Sequence, residues 1–164
     1  MRRESVVERE AVAGVSGDEQ ARVRRYVAER IAELGRLAEL PAERLPGFEN
    51  RDGAYPFIEV GRDGELRYLA YERGRKVLDL RTRDPQELLY WAFRDATYEA
   101  AGVWASRHPR EGEEYRVTLW RRQFAMLHTL RPAWARRRRE ELVASLRDPA
   151  HIRLVPGLPL PPEG

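Results

Sequence analysis

The chain has 164 residues, 42% of them hydrophobic, which suits one compact domain with a real core and argues against global disorder. It carries 30 basic and 27 acidic residues for a net charge of +3, and Lys76 is the single lysine. Such an arginine bias fits a GC-rich coding sequence better than a nucleic-acid surface, and the absence of cysteine excludes disulfides, thiolate metal sites and a cysteine nucleophile.

The opening MRRESVVERE places charges where a signal peptide needs an apolar run. No segment approaches the roughly 18–20 apolar residues of a membrane span. A cytoplasmic protein without membrane contact is expected, with residues 1–15 as a flexible N-terminus. Residues 16–19, SGDE, match a capping box with Ser16 as N-cap and Glu19 three places on. Val23, Val27, Ile31 and Leu34 follow at helical spacing, which predicts an amphipathic helix ending by Pro41. PAERLPGFENRDG, residues 41–53, reads as a connector.

From Ala54 the period changes. AYPFIEV, ELRYLAYE and KVLDLRT are short runs rich in aromatic and branched residues, separated by GRDG (61–64) and RGR (73–75). They predict a three-stranded antiparallel meander, with Pro56 marking the first strand as an edge. Asp84, Pro85 and Glu87 then form a helix start, and the pattern runs to about Trp104. A third helix is expected through EEYRVTLWRRQFAMLHTL, and Pro132 opens a fourth. Residues 151–164 read as a proline-rich tail. The expected fold is α+β: an N-terminal helix, the meander, then three helices packed on the sheet, with residues 16–150 as a single domain.

On the helix after the meander, Leu88, Trp91, Asp95, Tyr98 and Gly102 share one stripe, and Leu89, Phe93, Ala96 and Ala100 form a second. Asp95 is therefore expected to be at least partly buried and to need partners. Arg116 and Gln123 sit on the apolar face of the next helix, so Asp95 is expected to accept hydrogen bonds from one or both. A structural role outweighs a catalytic one. His108, His128 and His151 have no metal-ligand spacing, no serine lies in GxSxG, and GxGxxG is absent. No metal or cofactor is expected.

Two rival readings stand beside a binding protein. One is a small hydrolase using Asp95, which requires an open pocket beside it. The other is a nucleic-acid-binding regulator using the arginine-rich helix at Arg136–Arg139; Glu140 and Glu141 follow at once, and a solvated helix surface is the simpler reading. Tyr55, Phe57, Tyr68 and Tyr71 lack a base-stacking motif, so nucleic acid is not the expected partner.

YPFIEV, RYLAYERG, DPQELLYWAFRDATYEAA and EYRVTLWRRQFAMLHTLRPAWARR keep an order and spacing that resemble the immunity protein 63 family of bacterial polymorphic toxin systems. The likeness covers Tyr55 to about His151. It includes the run of Arg116, Gln123, Leu127, Leu130, Pro132 and Trp134. Tyr98 and Trp120 depart from it, standing where the family pattern has phenylalanine. The resemblance implies a non-catalytic antitoxin that binds a cognate protein toxin domain and occludes its active surface. Trp91, Asp95, Tyr98, Arg116, Gln123 and Trp134 would then be a structural core signature. Tyr55, Tyr90 and Arg94, taken as exposed, are the candidate toxin contacts. The toxin's identity and the oligomeric state are open.

Overall fold

The computed structural model describes residues 2–158, with side chains from Gly17 onward. Its elements are α1 (Arg2–Leu37), a single 3-10 turn (Ala42–Arg44), β1 (Phe57–Val60), β2 (Leu66–Glu72), β3 (Arg75–Thr82), α2 (Pro85–Arg107), α3 (Tyr115–Leu130), α4 (Pro132–Ser145) and α5 (Pro149–Arg153). The α+β class and the order of helix, meander and helices agree with the sequence reading.

The first helix starts well before the expected cap. Ser16 is an interior position of α1, because the arginine, glutamate and alanine residues ahead of it are good helix formers and carry the helix through. The other end of α1 closes on a residue with left-handed backbone, Glu39 (φ 55). Leu40 N donates to the Gly35 carbonyl at 2.8 Å and Glu39 N to that of Arg36 at 3.1 Å, which satisfies carbonyls the helix leaves open.

Two compact units are present: residues up to Glu33 with Pro46–Ala92, and Leu34–Leu45 with the residues from Phe93 on. The first holds the sheet, ordered β1-β2-β3 and antiparallel throughout, so β1 after Pro56 is indeed an edge. Alternation gives the strands one buried face, with Ile58, Val60, Leu66, Tyr68 and Ala70. Tyr68 stacks on Trp91 of α2 with ring centroids 6.4 Å apart, and Gln20 of α1 donates to the Val60 carbonyl at 2.6 Å. β2 and β3 are joined by the two-residue turn Arg73–Gly74, both with positive φ (49 and 75). That is the mirror-image turn whose twist suits a hairpin. Ala70 pairs with Leu78 but Tyr71 with Lys76, so Val77 is the extra residue of a β-bulge.

The second unit is helical. Ala101, Ala105, Val117, Leu119, Trp120, Phe124, Leu142 and Val155 form its buried cluster. Pro132 takes the first position of α4 after an extended Arg131, where a missing N–H costs nothing. The expected tail begins later than residue 151. Asp148 caps the short α5 by accepting from Ala150 N, Val155 is buried, and Arg139 Nε donates to the Pro156 carbonyl at 2.9 Å. The rest of that segment, 159–164, lies outside the described residues.

Candidate recognition surface

The polar centre of the second unit is Gln123, fully buried on α3. Its Nε2 donates to the Arg94 carbonyl at 2.9 Å and to Thr97 Oγ1 at 3.3 Å, while its Oε1 accepts from Arg138 Nε at 3.2 Å. Thr97, also buried, donates its hydroxyl to the Phe93 carbonyl at 2.6 Å. One amide side chain thus joins α2, α3 and α4, with both its ends satisfied.

Asp95 is not the acceptor that the helical projection led us to expect. It takes a hydrogen bond from Arg94 Nε at 3.1 Å and is only half-buried. Gln123 bonds to the groups just described, and Arg116 donates to Glu114 at 2.7 Å and lies over the Trp120 ring. The other signature residues divide. Trp91 and Trp134 are buried; Trp134 stacks on Phe93 with centroids 6.2 Å apart, and the Arg131 guanidinium covers its ring. Tyr98, expected in the core, is 47% exposed.

The three candidate contacts also part ways. Tyr55 is 58% exposed, Arg94 is half-buried, and Tyr90 is fully buried. The exposure expected for Tyr90 fails because every residue from Leu88 to Phe93 is buried, so that part of α2 has no solvent side. In the arginine run, Arg137 pairs with Glu141, Arg138 bonds to Gln123 and Arg139 to the Pro156 carbonyl. Three of the four guanidiniums are thus engaged within the fold.

A structured surface surrounds Tyr55 in the first unit. Asn50 Oδ1 accepts from Asp52 N at 2.8 Å, turning the connector. The Asp52 carboxylate then accepts from the backbone of Arg73 (3.2 Å) and Gly74 (3.3 Å), clamping the connector to the β2–β3 turn. Ala54 N donates to the Tyr71 carbonyl at 2.7 Å. Asp52, Ala54 and Arg73 all have left-handed backbone (φ 53, 63 and 49), a conformation that costs a side-chain-bearing residue energy. Beside them Glu72, Arg73, Arg75 and Val77 line a shallow open depression, with Val77 pushed out by the bulge to 53% exposure. The sequence reading took FENRDG as a plain connector. The spacing of Asn50 and Asp52 was the available signal, being that of residues whose short side chains cap nearby backbone.

Further along the sheet, the outward row Glu59, Arg67 and Arg81 is aligned across all three strands. Glu65 and Asp79 join it, with Arg67–Glu65 and Arg81–Asp79 both at 3.1 Å. Two hydrogen bonds, from Arg81 first and then Lys76, hold the Asp79 carboxyl below its ordinary value.

Among the described residues, no group of three or more His, Asp or Glu side chains could hold a metal ion, and no helix is long and apolar enough to cross a membrane.

These features define a small α+β protein in which a meander is followed by helices tied through one buried amide. The sequence model for Immunity protein 63 matches residues 63–144, half of the chain, and the chain belongs to that family. The matched span takes in β2, β3, α2, α3 and nearly all of α4, and with them Tyr68, Trp91, Gln123 and Trp134. No curated protein and no solved structure compared with the chain matches it.

Proposed function

We propose that this chain is an immunity protein that binds a cognate toxin domain of a polymorphic toxin system and blocks its working surface. It acts without chemistry of its own, in the cytoplasm of the cell that makes the toxin. The observation that carries the reading is membership of the Immunity protein 63 family across the hairpin and three helices. The engagement of Arg137, Arg138 and Arg139 inside the fold favours it over a phosphate-binding helix.

Inhibition of this kind needs a standard-sized interface with a few aromatic and arginine contacts at its centre. The test is co-expression with the toxin domain encoded beside the chain. Restored growth together with a complex that survives purification is the expected result. Failure of both overturns the reading.

A further inference from the structure

We infer that the clamped β2–β3 turn is the toxin-docking surface of this chain, and that it receives an acidic patch on the toxin domain. The inference rests on the immunity reading and adds to it a location and a partner chemistry.

The first ground is charge. Arg51, Arg73 and Arg75 are exposed, and among the described residues none of the three guanidiniums meets a carboxylate. The neighbouring sheet row behaves differently, since Arg67 and Arg81 are both neutralised there. Against Arg51, Arg73 and Arg75 stand two acids, Glu72 lining the depression and the Asp52 carboxylate of the clamp, so the turn keeps a net positive charge. Such a surface gains from an acidic counterpart and would draw it in from a distance.

The second ground is composition. Tyr55, its ring resting 3.4 Å from where a side chain on Gly53 would begin, is the most exposed large hydrophobic residue among those described. Val77 is exposed and lines the depression with Arg73 and Arg75. Tyrosine and arginine around a small apolar centre are what protein interfaces concentrate. A phosphate backbone would use the arginines but would gain nothing from Val77 and would be repelled by Glu72.

The third ground is rigidity. Three of the four described residues outside glycine with positive φ lie at this turn and its clamp. Their strain is held by the Asp52 carboxylate and the Ala54–Tyr71 hydrogen bond. A loop fixed before binding loses less conformational entropy when it docks.

The test measures binding of the purified toxin domain to the full chain, to Arg73→Glu/Arg75→Glu, and to Tyr55→Ala, with thermal unfolding followed in each. Charge reversal should weaken binding at least about tenfold with the fold intact, and Tyr55→Ala should weaken it as well. If the reversed chain unfolds, Tyr55→Ala alone decides. Binding by the decisive variant within about twofold of the unmodified chain overturns the surface while leaving the immunity reading in place. No binding by the unmodified chain overturns both. Loss of duplex DNA binding on charge reversal, with toxin binding unchanged, overturns the surface in favour of a nucleic-acid site.

Discussion

Gln123 Nε2 and the Arg94 carbonyl, 2.9 Å apart and 29 residues apart in sequence, join α3 to the middle of α2. The amide and its partner Thr97 are both buried, so that hydroxyl cannot turn to water if the amide is removed. Gln123→Leu should therefore cost about 1–3 kcal/mol, the penalty of leaving buried polar groups unmatched. Arg116→Ala, which breaks a solvent-screened pair with Glu114 and a ring contact with Trp120, should cost no more than about 1 kcal/mol. Urea unfolding of the two variants checks the order; a costlier Arg116→Ala would contradict it.

Trp134 gives a larger effect. It is buried, stacks on Phe93 and is covered by Arg131. Trp134→Ala should lose about 3–5 kcal/mol through lost burial and the cavity left behind. Trp134→Phe should recover part of that, and calorimetric midpoints would show whether it does.

Acid should weaken the start of α3 through Glu113. The Thr118 hydroxyl (2.7 Å) and the Arg121 guanidinium donate to its carboxylate and hold it below its ordinary value of 4.5. A lowered folded-state value means the unfolded chain binds more protons in this range. The contribution is therefore full above 4.5 and is lost as pH falls from there through the lowered value. Glu113→Gln should flatten the dependence of unfolding free energy on pH below 4.5. An acid limb identical to that of the unmodified chain would show that Glu113 contributes nothing.

How much of this the sequence revealed depended on which physical signal each residue sends. The strands and hairpins were legible because alternation and turn residues act locally: RGR became the Arg73–Gly74 turn. Pro132 as a helix start followed in the same way from its position, whereas a core role for Trp134 was implied only by the family resemblance. The Asp95 expectation failed for a different reason. A helical projection fixes the azimuth of a side chain but not which turns have neighbours. Leu88–Phe93 is buried all round, which hides Tyr90, while the same stripe a few residues on leaves Asp95 half-buried and Tyr98 exposed. The Asp52 clamp left no trace in the sequence because its donors are backbone N–H groups 21 and 22 residues away, and every residue type except proline has one.

Removing that clamp should loosen the turn without unfolding the protein. Asp52→Ala deletes both acceptors for Arg73 and Gly74 and places alanine where the backbone is left-handed. Stability should fall by about 0.5–1.5 kcal/mol for the hydrogen bonds, with the left-handed alanine adding to it. Amide exchange at Arg73 and Gly74 should rise relative to the strands. Unchanged exchange at both would mean that the turn holds its shape without Asp52.

Arg73 sets stability against recognition. Its φ of 49 costs an arginine energy, and asparagine is the residue outside glycine that tolerates this conformation best. No carboxylate among the described residues holds its guanidinium, so Arg73→Asn relieves strain and forfeits no ion pair. The variant should therefore be more stable by up to about 1 kcal/mol. Toxin binding should weaken at the same time, because one of the positive groups at the docking surface is gone. A fold that keeps an uncomfortable arginine at a solvent-exposed turn makes sense if that side chain is used by a partner. Parallel unfolding and binding measurements on Arg73→Asn would test the trade. A variant that gained stability and bound the toxin unchanged would remove Arg73 from the docking surface, and one that lost stability would show that the turn is not strained.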